Sequence, residues 1–332
     1  MIVAVVGLGT WGTALAQVLG DNGHKVTIYG RDEGMVNEIN TNHTNSKYFS
    51  NEIKLNPSIT ASSNLEEAIK DAKVIVLSVP SKSYRSILET LKDIIKNKVI
   101  IVSTAKGFDP STYERLSSLI REMIPFSKRE EVVSLIGPSH AEEVIKRLLT
   151  LVTATSMDVK VAKVVQELFS NNYFRVYTNT DEIGSEYGAA IKNVIAIASG
   201  CLCGLGYGDN TRAALITRGL AEMARFGVIR GGRKETYLGL NGIGDLLVTC
   251  ASWNSRNFNA GYEIGKCDSA KEFLKNNKKT VEGIKTAEVI YKDSLVMGIE
   301  MPIVESVYNV LYLNKNPSEE ILKVMNRPLK EE

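Results

Sequence analysis

The feature that most constrains this chain is a short β-branched run that stops on glycine. Ile2-Val3-Ala4-Val5-Val6 leads into Gly7-Leu8-Gly9-Thr10-Trp11-Gly12 and then Thr13-Ala14-Leu15-Ala16. A strand feeding G-x-G-x-x-G and then a helix is the fingerprint of a dinucleotide-binding turn. Gly7 permits the tight turn. Gly9 lets a pyrophosphate approach the backbone, and Gly12 lets the helix pack close to the strand. The helix N-terminus offers unpaired N–H groups and a positive dipole end to the phosphates.

A chain of 332 residues has room for two cores. Its 44% hydrophobic and 23% charged content suits a globular enzyme, and a net charge of +2 gives no reason to expect nucleic acid as a partner. The chain enters its first strand at once, so no signal peptide is expected. Cys201, Cys203, Cys250 and Cys267 lack zinc spacing and read as buried free thiols of a cytoplasmic protein. His24, His43 and His140 are scattered, and no metal site is expected.

Strand and helix patterns alternate through residue 180. Strands are expected at 25–29, 73–79, 99–103, 132–136, 149–155 and 174–177, and helices at 65–71, 86–95 and 159–169. The fully apolar KVIVLSV run at 73–79 suits a strand buried on both faces. This alternation predicts an α/β Rossmann-type domain with a doubly wound, mostly parallel sheet over residues 1–180. Residues 181–332 carry long helical patterns and almost no strand signal, which predicts an all-α substrate-binding domain. Arg31 and Asp32 follow the second strand, where an acid favours the NAD ribose and an arginine the NADP phosphate. The signal is split, with a lean to Arg31 and NADP.

Residues 184–208 read GSEYGAAIKNVIAIASGCLCGLGYG, and Lys192 is the sole formal charge between Glu186 and Asp209. The run is broken by glycines and carries a charge, which favours a core helix over a membrane span. A charge buried without partners costs several kcal/mol. Burial lowers a lysine pKa, and a lysine tuned to roughly 7–8 exchanges protons with a substrate hydroxyl. Snorkelling from the helix edge is the bland alternative. Asp245, in the apolar GIGDLLVTC stretch, suits holding the Lys192 ammonium, bonding a substrate hydroxyl, or capping a helix. Ser255-Arg256-Asn257 combines a hydroxyl, a guanidinium fork and an amide, a set that suits a phosphate.

In these residues the chain resembles the bacterial NAD(P)-dependent glycerol-3-phosphate dehydrogenases, and the likeness covers nearly its whole length. The resemblance rests on residues 7–16, Ala105-Lys106-Gly107, Gly137-Pro138-Ser139, Lys192-Asn193-Val194-Ile195-Ala196, residues 212–223, residues 242–250, Ser255-Arg256-Asn257 and Val281-Glu282-Gly283. It implies reversible hydride transfer between dihydroxyacetone phosphate and sn-glycerol 3-phosphate, with NADP or NAD as cofactor. It also implies a cytoplasmic homodimer, with no stable membrane insertion, that supplies the phospholipid backbone. Carried onto matching positions, it implies Lys192, Lys106 and Asp245 as catalytic residues. Gly137, Ser139, Asn193, Thr249, Ser255, Arg256 and Asn257 join them as substrate contacts. Cofactor contacts would be Gly7, Gly9, Thr10, Trp11, Gly12, Arg31, Tyr48, Lys106, Ala141, Arg256, Val281 and Glu282. Phe258-Asn259 departs from relatives that are often basic there, and Leu148-Leu149 stands where a proline is expected before Thr150.

Two other readings remain open on the residues. A related two-domain dehydrogenase of a hydroxy acid or sugar acid would also pair a helical lysine with an asparagine. A non-catalytic NAD(P)H sensor would use the fingerprint but leave Lys106, Lys192 and Asp245 without a task.

Overall fold

The computed structural model of the chain describes residues 1–329 and 331. The chain divides into two compact units, Met1–Glu182 and the residues from Ile183 onward. The first unit contains β1 (Ile2–Val6), α1 (Thr10–Asp21), β2 (Lys25–Tyr29), α2 (Glu33–Asn42), β3 (Ile59–Ser62), α3 (Leu65–Ala68), β4 (Val74–Leu77) and α4 (Tyr84–Ile94). It continues with β5 (Val99–Ser103), α5 (Leu116–Met123), β6 (Arg129–Ile136), α6 (Ala141–Val144), β7 (Thr150–Thr155), α7 (Val159–Phe169) and β8 (Phe174–Asn179).

These strands form an eight-stranded sheet in the order β3-β2-β1-β4-β5-β6-β7-β8. The pairing is parallel except between β6 and β7, which run antiparallel. Period-two alternation sends neighbouring residues of one strand to opposite faces. Val3 and Val5 join one core with Leu15 and Leu19 of α1, while Ala4 and Val6 join a second with Leu88 and Leu91 of α4. β4 divides the same way, Val74 and Val76 against Ile75 and Leu77. Helices therefore cover both faces, as a doubly wound sheet requires. The strand order reverses between β1 and β4, and ligands in such sheets sit at this switch point beyond the strand carboxyl ends.

Several boundaries differ from expectation. The 65–71 helix stops at Ala68, and Asp71 adopts a left-handed φ of 61°. β4 is trimmed to Val74–Leu77, while β6 starts earlier, at Arg129. Helix α2 and edge strand β3 carry no clear pattern in the sequence. Only Met35 and Ile39 of α2 are buried, and β3 pairs on one side alone.

The second unit is helical among the described residues. It holds α8 (Glu182–Gly204, whose first residue belongs to the first unit), α9 (Asp209–Ile229), α10 (Lys234–Tyr237), α11 (Asp245–Ala251) and α12 (Arg256–Lys266). After these come α13 (Lys271–Asn276), α14 (Glu282–Met297), α15 (Pro302–Tyr312) and α16 (Pro317–Met325). By length and composition α8 could cross a membrane, yet most of its apolar window is buried inside the protein. Along α8 and α12 the two backbones touch. A Cβ on Gly200 would stand 2.0 Å from the Phe258 carbonyl oxygen, and one on Gly204 would stand 2.3 Å from that of Tyr262. From the other side, a Cβ on Gly261 would stand 2.0 Å from the Ile197 oxygen, and one on Gly265 would stand 2.3 Å from that of Cys201.

Not all four cysteines are buried, as the sequence had suggested. Burial pushes the Cys201 and Cys250 thiols up to about 12, whereas Cys203 is half-buried and Cys267 exposed. Their positions explain the difference, since Cys267 caps the C-terminus of α12 at the surface.

Glu222 of α9 caps a helix from a distance. Its carboxylate accepts from the Ile303 N–H at 2.9 Å and the Val304 N–H at 3.4 Å, at the start of α15. Burial nonetheless pushes its pKa up to about 7, from an ordinary 4.5. Between those values the folded chain holds a proton that the unfolded chain releases, so this group makes stability fall as pH rises. The full shift corresponds to about 3 kcal/mol. Urea unfolding at pH 5 and pH 8 is expected to show a loss with rising pH that Glu222→Gln reduces. An identical pH dependence in both proteins would refute it.

Candidate active site

In the first unit the turn after β1 lies at the switch point, against β4. Gly7 has a φ of +129°, and a Cβ there would stand 2.4 Å from the Ser78 carbonyl oxygen. A Cβ on Gly12 would stand 2.1 Å from the Gly7 oxygen. Gly9 is different, because a Cβ there would meet nothing within 4 Å. It faces open space at the N-terminus of α1, where no side chain caps the helix and no acid occupies the first turn. Two buried polar atoms beside this turn lack partners, the Trp11 Nε1 and the Ser78 Oγ. An open, uncapped helix end with orphaned donors suits a dinucleotide pyrophosphate and its neighbouring groups.

Asn45 fixes the same turn and was not singled out in the sequence. Its Nδ2 donates to the Leu8 carbonyl at 3.1 Å and to the Thr13 hydroxyl at 2.9 Å. Tyr48 follows in the same loop, with its N–H on the Asn45 carbonyl and its ring exposed. At the end of β2, Asp32 caps α2 by accepting from the Met35 N–H at 3.2 Å, and it pairs with Lys47 at 3.1 Å. The Met35 N–H and then Lys47 hold its carboxyl below the ordinary range. Arg31 is exposed beside it.

The cradle makes two glycine substitutions separable. Gly12→Ala is expected to lower the melting temperature and to weaken NADH binding on the order of 100-fold, since a displacement of about 1 Å at a positioning group can cost that much. Gly9→Ala has room in the protein and is expected to weaken NADH binding with the melting temperature unchanged. Fluorescence titration and thermal unfolding of both variants check this, and equal melting losses would contradict it.

Beyond β5 and β6 the structure brings Lys106, Gly137 and Ser139 together. The Gly137 carbonyl accepts from the Lys106 Nζ at 3.0 Å and from the Ser139 Oγ at 3.0 Å. Gly137 has a φ of +151°, which glycine adopts without strain. Ala141 opens α6 nearby.

In the second unit Lys192 lies on α8 and is 3% exposed. Its Nζ donates to the Asp245 Oδ1 at 2.5 Å and to the Thr249 Oγ1 at 2.8 Å. The Thr249 hydroxyl donates onward to the Asp245 carbonyl at 2.6 Å. Lys192 is thus paired rather than snorkelling to solvent. Of the three sequence readings of Asp245, the structure shows the first contact, to the ammonium. Asp245 does not cap α11, whose N-cap residue is Gly244. The preceding wide turn, Leu240–Gly244, is held against α8 by an Asn241 to Ser185 hydrogen bond of 2.7 Å.

The other expected contacts form a chain of amides. The Asn257 Nδ2 donates to the Asn193 Oδ1 at 2.9 Å, and the Asn257 Oδ1 accepts from the Gly283 N–H at 2.9 Å. Val281 and Glu282 begin α14 beside Gly283. Ser255 caps α12 by accepting from the Phe258 N–H at 3.2 Å. Arg256 is exposed in the first turn of that helix. Phe258 is buried and meets Trp253 edge-to-face at 5.0 Å, so the departure there is a packing residue.

The arrangement offers a dinucleotide cradle in one unit and a buried ammonium–carboxylate pair in the other. Two family descriptions match the chain in tandem. The NAD-dependent glycerol-3-phosphate dehydrogenase N-terminus spans residues 2–162, and the C-terminus of the same family spans residues 181–322. The glycerol-3-phosphate dehydrogenase (NAD(P)+) of Streptococcus sanguinis is 48% identical over 330 residues, covering 99% of this chain and 97% of its own. The protein of that name from Exiguobacterium is 47% identical, covering 99% and 96%. The crystal structure of the glycerol-3-phosphate dehydrogenase of Coxiella burnetii superposes with a TM-score of 0.88 at 33% identity, covering 98% of this chain and 99% of that one. The chain belongs to the NAD-dependent glycerol-3-phosphate dehydrogenase family.

Proposed function

We propose that this protein is a glycerol-3-phosphate dehydrogenase that interconverts dihydroxyacetone phosphate and sn-glycerol 3-phosphate, with NAD or NADP. The observation that carries the reading is the buried Lys192 ammonium, held at 2.5 Å by the Asp245 carboxylate. In this reading the first unit, with the Gly7–Gly12 turn, Asn45 and the N-terminus of α1, holds the dinucleotide. Trp11, Arg31, Tyr48, Ala141, Val281 and Glu282 complete the cofactor contacts.

A bound nicotinamide supplies or accepts a hydride at the substrate carbon. Lys192 supplies the proton to the carbonyl oxygen as charge develops there, and recovers it in the reverse direction. Asp245 and Thr249 each take one Lys192 N–H and so aim the ammonium. Lys106, oriented by its hydrogen bond to the Gly137 carbonyl, stabilises the developing oxyanion with its charge, and Ser139 holds the same carbonyl in place. Arg256 and the second N–H of the Asn257 amide grip the phosphate at the start of α12, where helix N–H groups add to the pull. Remote phosphate binding energy then orients the carbonyl. Asn193 holds Asn257 in place. The reading also makes the protein a cytoplasmic homodimer that feeds glycerophospholipid synthesis.

The test is oxidation of NADH and NADPH with dihydroxyacetone phosphate and with dihydroxyacetone. Oxidation is expected only with the phosphorylated ketone. Arg256→Ala is expected to lower kcat/KM for it roughly 10- to 100-fold, the worth of one charge-assisted contact. Equal use of both ketones by the unaltered protein would point instead to a dehydrogenase of another hydroxy compound.

A further inference from the structure

The second unit contains a cavity of about 680 Å³, within the range that holds small-molecule ligands. Its walls are mainly apolar and include Ile197, Cys201, Leu215, Val307, Val310 and Ile321. The wall from α8 is not the face that carries Lys192. Ile197 lies five residues on, about 140° around the helix.

One charged side chain in this wall is incompletely satisfied. Arg225 donates from Nη2 to the Glu300 carbonyl at 2.6 Å, but its Nε is buried and has no acceptor. Among the described residues no carboxylate forms an ion pair with it. The Glu300 carboxylate pairs with Arg327 at 2.9 Å, and the Glu222 carboxylate is committed to the N–H groups of α15. A buried guanidinium donor without an acceptor costs free energy that an anionic oxygen would relieve. At the rim, Met325 is 75% exposed and Leu329 fully exposed, so an apolar chain would be covered on entry.

We infer that this cavity is a binding site for an amphipathic anion, a molecule with an apolar chain and one carboxylate or phosphate, whose head group meets Arg225. The chain would lie between α8, α9, α15 and α16, away from Lys192. The inference is independent of the reaction proposed above, because its test reads binding.

The probe is dodecanoate, below its micelle concentration, followed by titration calorimetry. Dodecanol and dodecyltrimethylammonium serve as neutral and cationic controls. One dodecanoate per chain is expected, with a Kd on the order of 10 µM and at least roughly tenfold preference over dodecanol. Arg225→Leu is expected to remove that preference. Val310→Trp fills the cavity from inside and should abolish binding. Ala214→Trp fills it from an exposed wall position, where the fold is under little strain, and should do the same. Absence of binding, equal binding of all three amphiphiles, or binding that survives Ala214→Trp would overturn the assignment. Sedimentation of the same proteins adds one more outcome. Conversion of a dimer to a monomer by Ala214→Trp, with no probe bound to either form, would give the cavity to a second copy of the chain and likewise overturn it.

Discussion

Lys192→Ala is expected to lower turnover of dihydroxyacetone phosphate by about 100- to 10,000-fold, the range of general acid–base assistance. NADH affinity should stay as it was, because Lys192 is not among the cofactor contacts of this reading. The loss should appear in kcat rather than in KM, since the proton is transferred only as charge develops on the oxygen. Thr249→Val separates aim from chemistry. It removes one acceptor of the Lys192 ammonium at 2.8 Å while leaving Asp245 in place. Its kcat is expected to fall by less than that of Lys192→Ala. Turnover of Lys192→Ala within about tenfold of the parent would exclude the lysine as proton donor.

Glu182→Ala is expected to destabilise the first unit by about 3–5 kcal/mol, the cost of stripping a buried ion pair of one partner. The Glu182 side chain is 2% exposed and accepts from Arg121 at 2.8 and 2.6 Å, from Ser117 at 2.7 Å and from Arg115 at 3.1 Å. Burial alone would raise its pKa, but the Arg121 hydrogen bonds and charge outweigh that and hold it below the ordinary range. This contribution to stability is complete above the unfolded carboxylate pKa and is lost as pH falls through the lower folded value. In the alanine variant, Arg121 loses the Glu182 carboxylate and keeps that of Glu131, at 2.9 Å. Urea unfolding at pH 7, followed by circular dichroism, measures the loss. A change below about 1 kcal/mol would show that solvent replaces the carboxylate.

The sequence was most informative where local pattern and tertiary demand coincide. β1, its glycine turn and α1 were legible because burial on both faces leaves an unbroken apolar run, and the turn requires residues without a Cβ. Lys192 stood out because a lone charge in a core helix demands a partner. The identity of that partner was open among three uses of Asp245, and only distance decides among them. Thr249 entered only through the resemblance, as a substrate contact, and its hydroxyl accepts from the Lys192 ammonium. Asn45 could not be found locally. Its targets are 37 and 32 residues away in the chain, and a polar loop asparagine carries no mark of that pairing. α2 and β3 were missed because an edge position asks for few buried side chains. Asn257 had suggested a phosphate grip, and its amide is also engaged on both sides by Asn193 and Gly283.

The glycine contact between α8 and α12 bears on how this protein can change. Lys192 rides on one helix and Arg256 on the other, and the two helices meet main chain against main chain at Gly200, Gly204, Gly261 and Gly265. Most helix pairs can slide by trading one side chain for another of different size. Here there is nothing to trade, and any methyl group added would act as a wedge. The spacing between Lys192 and Arg256 is thereby shielded from gradual mutational drift. A lineage seeking a longer or shorter substrate would find its freedom in the surrounding loops, with this pair of helices inherited as a fixed ruler.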